Sequence, residues 1–207
     1  MTQLIMNDNF LTVLDLSKLA SNPVKFVYLS GNNLKTVSTA TAILSLGEKL
    51  FLSDNGFTSD GLYEFLSSAG SKIKVTKEMK LDRNSLTNVD FISKFDIFQG
   101  VQRLDLSHNQ IVSINSDTTL TYNLLHLNLE ENPYDPSDMV GINRIFPKLE
   151  YLNLRNSVPL YDIDTGIYGA ENVLKNIEIS AKSFGKPEQA ALNLPRSLET
   201  IEITGNK

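Results

Sequence analysis

Apolar and polar positions along this chain repeat in a fixed phrase: apolar, two variable, apolar, one variable, apolar, two variable, Asn. It occurs nine times, with its last two apolar residues at Leu4/Met6, Val27/Leu29, Leu50/Leu52, Met79/Leu81, Leu104/Leu106, Leu127/Leu129, Leu152/Leu154, Ile177/Ile179 and Ile201/Ile203. Successive members are 23 to 29 residues apart, a period that marks stacked repeats. Alternation within each phrase predicts a short strand. Leu104 and Leu106 point to one face and Arg103, Asp105 and Ser107 to the other.

The stretches Val-Gln-Arg-Leu-Asp-Leu-Ser-His-Asn-Gln-Ile (101–111) and Leu-Leu-His-Leu-Asn-Leu-Glu-Glu-Asn-Pro-Tyr (124–134) match the L-x-x-L-x-L-x-x-N-x-L signature almost fully. The chain thus resembles the leucine-rich repeat family over its whole length. The resemblance implies an α/β fold, a right-handed solenoid curved into a horseshoe arc. Its concave side would be a parallel sheet of about nine strands, its convex side mixed loop, 3₁₀ and α segments, and residues 1–207 would be one domain.

A side-chain amide three positions after the last strand residue can serve backbone groups of the turns, where no sheet ladder is available. That structural role falls to Asn9, Asn32, Asn55, Asn84, Asn109, Asn132 and Asn206. Ser157 and Lys182 replace the amide in the seventh and eighth units, so residues 155–184 are expected to be the least regular and most loosely packed. The longest unit contains residues 59–70, which read as a helix capped by Ser59 or Asp60, with Leu62, Phe65 and Leu66 at helical spacing and Gly70 at its end. The other returns are short and Ser/Thr-rich, and are expected to be irregular or 3₁₀.

Stacking displays the outward strand residues as columns. One runs Ile5, Tyr28, Phe51, Lys80, Asp105, Asn128, Asn153, Glu178, Glu202; its neighbour runs Gln3, Phe26, Lys49, Glu78, Arg103, His126, Tyr151, Asn176, Thr200. Ile5, Phe26, Tyr28 and Phe51 form a predicted exposed apolar cluster, the usual mark of an interaction site. The competing reading has a missing or folded-back N-terminal segment covering them. Lys80, Arg83, Arg103, Asp105 and His108 with Glu130 and Arg155 form a mixed-charge group that reads first as a solvated face, since exposed ion pairs contribute little. Of these, Lys80, Arg103 and Asp105 are carried as partner-binding candidates, and Tyr151 with His126 as the best anchor in that half.

Composition narrows the choice of partner. Nineteen basic against 24 acidic residues give a net charge of −5, the wrong sign for a phosphate backbone, so another protein is the expected partner and nucleic acid is not. The chain has no cysteine, which excludes disulfides, thiolate metal sites and a cysteine nucleophile. It shows no signal peptide and no apolar run long enough to span a bilayer. Twenty asparagines include no Asn-X-Ser/Thr acceptor, so an intracellular location is favoured over a glycosylated ectodomain, with a secreted bacterial or a viral component as alternatives.

No phosphate loop, metalloprotease motif or catalytic triad is present, and no cofactor or small-molecule substrate is expected. Asp162 and Asp164 before Gly166 resemble the opening of a calcium loop, but Val173 stands where its closing acid belongs, so an acidic surface loop is expected and no metal. Glu178 and Glu202 are adjacent in one column, yet an acidic surface explains them better than a catalytic pair.

The first strand pattern begins at residue 1 and the last nearly reaches Lys207, with no polar cap in view. Either the chain is a segment of a longer protein or its ends dock on partners. The leading expectation is a non-catalytic protein-recognition module. The alternative is a scaffold subunit buried in an assembly. A third reading follows from Leu-Pro-Arg-Ser-Leu-Glu-Thr-Ile (194–201), which resembles repeats that precede a ubiquitin-ligase domain in bacterial effectors. Those ligases use a cysteine, so such an activity would belong to another domain.

Overall fold

Each apolar phrase becomes a strand, and each strand pairs in parallel with that of the next phrase. The computed structural model describes residues 2–15, 24–38, 47–69, 75–114, 122–134, 142–157, 173–180 and 196–205. Its strands are β1 (Gln3–Ile5), β2 (Val13–Asp15), β3 (Phe26–Tyr28), β4 (Thr36–Ser38), β5 (Lys49–Phe51), β6 (Glu78–Lys80), β7 (Arg103–Asp105), β8 (His126–Asn128), β9 (Tyr151–Asn153), β10 (Asn176–Ser180) and β11 (Thr200–Thr204). Nine of them form one sheet in the order β1-β3-β5-β6-β7-β8-β9-β10-β11. The register is constant: Ile5 faces Tyr28, Tyr28 faces Phe51, Phe51 faces Lys80 and Lys80 faces Asp105. Both columns expected from the sequence are therefore present.

Strand-to-strand bonds continue one step past the named strands, as in Leu81 N–H to the Asp105 carbonyl (2.8 Å) and Leu106 N–H to that of Asn128 (2.9 Å). Behind the sheet the inward residues merge into one core. Val27, Leu50, Met79, Leu104, Leu127, Leu152 and Ile177 are buried, as are their partners two residues on. In the first phrase Leu4 and Met6 are only partly buried, and in the last Ile203 is exposed.

The return segments vary. Helix α1 (Ser59–Ala69) buries Leu62, Phe65, Leu66 and Ala69, the stripe that helical spacing requires, and packs beside β4. Its cap is Thr58, not Ser59 or Asp60 as expected. The Gly61 N–H donates to Thr58 Oγ1 at 3.0 Å, satisfying a first-turn donor. Ser59 is drawn to the next unit instead, where its Oγ accepts the Thr87 N–H at 2.9 Å. Gly70 lies outside the described residues.

Short helices α2 (Phe91–Lys94) and α3 (Ile142–Ile145) and a 3₁₀ segment at Asp96–Gly100 occupy later returns. The first two returns depart from the expected irregular path. β2 and β4 pair in parallel as a second, two-stranded sheet, preceded by bonds from Asn33 N–H to the Leu11 carbonyl (3.0 Å) and Lys35 N–H to that of Thr12 (2.8 Å). Neighbouring coils already sit at strand spacing here, and Thr12-Val13 and Thr36-Val37 favour extended backbone.

Expected loosening between residues 155 and 184 is not found in its described part. Leu154, Leu174, Ile177 and Ile179 are all buried. Serine does the work of the missing amides: Ser157 Oγ lies 3.3 Å from the Leu129 and Arg155 carbonyls, and Ser180 Oγ accepts the Asn156 N–H at 2.7 Å. Lys182 and the Asp162–Asp164–Gly166 loop lie outside the described residues. No helix among the described residues is long and apolar enough to cross a membrane.

Candidate interaction face

The outward face of the nine-stranded sheet carries every residue singled out for binding. Its rigidity begins with the amides behind it. Asn84 Nδ2 donates to the carbonyls of Leu52 (3.1 Å), Leu81 (2.9 Å) and Asp82 (3.2 Å), while its Oδ1 accepts the N–H groups of Asn55 and Phe57, both at 3.0 Å. Asn32, Asn55, Asn109 and Asn132 repeat the arrangement, each reaching its own unit and the one before. Asn9 is exposed and donates only to Met6 and Asn7. Asn206 is outside the described residues.

One periodic feature has no counterpart in the sequence reading. The residue before each ladder position is left-handed: Asp8, Gly31, Asp54, Arg83, His108, Glu131 and Asn156 have φ between 52° and 67°. Only Gly31 among them announces such a backbone by its type. The periodic position, one before each amide, was the available signal.

On the face itself Tyr28 and Phe51 meet edge to face with ring centroids 5.0 Å apart. Phe26 is half-buried beside them and Ile5 is 62% exposed, so these side chains are not core. Lys80 Nζ lies 5.1 Å from the Phe51 ring centroid and Lys49 Nζ 6.0 Å; such contacts hold a cation against an aromatic face. Lys49 also pairs with Glu78 at 2.7 Å.

Next along the face, Arg103 is exposed, and Asp105 Oδ1 accepts from the backbone N–H and Oγ of Ser107 at 3.1 and 2.7 Å. His126 and Tyr151 lie with ring centroids 5.5 Å apart. Burial and then the charge of Arg103 hold the His126 pKa below its ordinary value. Glu78, Lys80, Arg103, Asp105, His126 and Tyr151 rim an open depression of about 160 Å³.

Beyond it the polar groups are satisfied internally. Tyr151 O–H donates to Glu178 Oε1 at 2.5 Å, Arg155 pairs with the same carboxylate, and Asn153 Nδ2 donates to Glu130 Oε2 at 3.2 Å. Burial raises the Tyr151 pKa against the opposing charge of Arg155. Glu178 is thus a hydrogen-bond hub. The signal for this was the diagonal relation of Tyr151 and Glu178 on adjacent strands, since Glu178 faces Asn153 in register.

Arg83 and His108 are not on this face; they sit in the left-handed turns. Arg83 pairs with Asp82 at 3.6 Å, and His108 Nδ1 lies 3.3 Å from Glu131 Oε2. The two histidines therefore belong to separate surroundings. Comparison of the chain with protein-family models and with curated proteins finds no match.

Proposed function

We propose that this chain is a leucine-rich repeat solenoid that binds another protein through the concave side of its sheet, and that it is not itself a catalyst. The observation that carries the reading is the Tyr28–Phe51 pair with Lys80 beside it, aromatic and cationic surface left in solvent on a rigid sheet. Aromatic groups held in fixed geometry lose little entropy on binding and dominate interface energetics. The regular spacing of the amides Asn32 to Asn132, each tying one coil to the previous one, supports the repeat assignment.

The test is capture from the native extract by the wild-type chain and by a Tyr28→Ser/Phe51→Ser variant, with circular dichroism as the check on folding. Loss of capture by a folded variant is expected. Undiminished capture refutes the assignment.

A second reading, a scaffold subunit whose first coil packs against a neighbour, is favoured by a different observation. Phe10 is 99% exposed, where Asn33, Gln110 and Pro133 occupy the same position in other units. Under that reading Phe10→Ser, and not the Tyr28/Phe51 variant, abolishes association.

A further inference from the structure

Resting on the protein-recognition reading, we infer that the face between β3 and β7 takes an extended acidic segment of its partner. An apolar side chain seats on Tyr28 and Phe51, and a carboxylate about three residues away lies between Lys80 and Arg103.

The argument starts from which charges on the face are already satisfied. Glu78 is paired with Lys49, Asp105 is held by Ser107, and Glu178 is shared by Tyr151 and Arg155. Lys80 and Arg103, on adjacent strands, have no ion pair among the described residues. The aromatic contact fixes Lys80 beside Phe51 without neutralising it. In a chain of net charge −5 this opening is a local exception, and a pair of unneutralised cations beside apolar surface attracts an anion that also has an apolar neighbour.

Register then sets the spacing. Lys80 is one strand beyond Phe51 and two beyond Tyr28, roughly 10 Å at ordinary strand separation, which three residues of extended chain span. The acids flanking the cations, Glu78, Asp105 and Glu130, favour one localised carboxylate over a polyanion, because a nucleic-acid backbone would meet them as like charges.

Selection of a phage-displayed library of random twelve-residue peptides on the full chain tests this, followed by affinity measurement on synthetic copies of the enriched peptides. Enriched sequences should carry Phe, Tyr or Leu with Asp or Glu two to four positions away. Replacing that acid by Lys should weaken binding about tenfold or more. A Lys80→Glu/Arg103→Glu chain should invert the preference and bind the Lys-substituted peptide better, a gain that misfolding does not produce.

Enrichment without acids, an unaltered preference in the charge-reversed chain, no enrichment at all, or displacement of the peptides by a single-stranded oligonucleotide overturns the inference. Peptides that lack acids but lose binding in the Tyr28→Ser/Phe51→Ser chain overturn the carboxylate alone and leave the recognition face standing. Peptides indifferent to both variants remove the face as well.

Discussion

Substitution of Asn84 by alanine should be among the most damaging single changes that leave the apolar core untouched. The consequence follows from the bonds that have no substitute. Of the three carbonyls that Asn84 Nδ2 serves, Leu52 also accepts from Asn55, Leu81 from Asn109, and Asp82 from the Asp54 N–H. Each keeps a partner when Asn84 is gone. The N–H groups of Asn55 and Phe57 bond only to Asn84 Oδ1, in a buried setting.

Two orphaned buried donors at about 1–3 kcal/mol each give a loss of roughly 2–6 kcal/mol. Asn109→Ala orphans only the Leu86 N–H and should cost about half as much. Asn9→Ala, in an exposed amide that accepts nothing from a neighbouring coil, should stay within about 0.5 kcal/mol. Urea unfolding followed by circular dichroism gives all three values. Equal losses for Asn84 and Asn9 would refute the reasoning that the amides act by satisfying buried backbone.

The remaining predictions address pH, packing and close approach. The His126 pKa is depressed by burial, so the folded state holds this ring neutral. Its contribution is fully present above the unfolded value near 6.5 and is lost as pH falls from there toward the lowered folded value. His126→Gln should therefore flatten the stability profile below about pH 6.5, as read by thermal unfolding at a series of pH values. Leu104→Ala should cost about 2–5 kcal/mol in urea unfolding, because the site is enclosed by neighbouring coils on both sides. A Cβ at Gly100 would meet the Val75 carbonyl oxygen at 2.5 Å, so Gly100→Ala should cost about 1–3 kcal/mol and Gly100→Val more, by the same assay.

The sheet was legible in the sequence because its period is enforced twice, by inward leucines such as Leu127 and Leu129 and by the amide at Asn132. A slip of one residue would turn the buried set outward. The return side was less legible. Its segments face no repeated constraint, and Thr58 and Ser59 compete for cap and inter-coil roles that only the position of Thr87 decides. On the binding face the columns could be written from spacing alone. Which charges were neutralised could not, because Glu78 turns to Lys49 along one column and Glu178 to Tyr151 across two. Left-handed turns at Arg83, His108 and Glu131 were hidden by residue types that usually avoid that backbone.

The central claim, that recognition occurs on the outward face of the sheet, is tested most directly by site-specific photo-crosslinking in the native extract. A benzophenone side chain is placed at Phe51 in one preparation and at Tyr63 in another; Tyr63 is exposed on α1, away from the sheet. The account predicts a discrete crosslinked protein from position 51 and none from position 63. The same product from position 63, or from both, would contradict it.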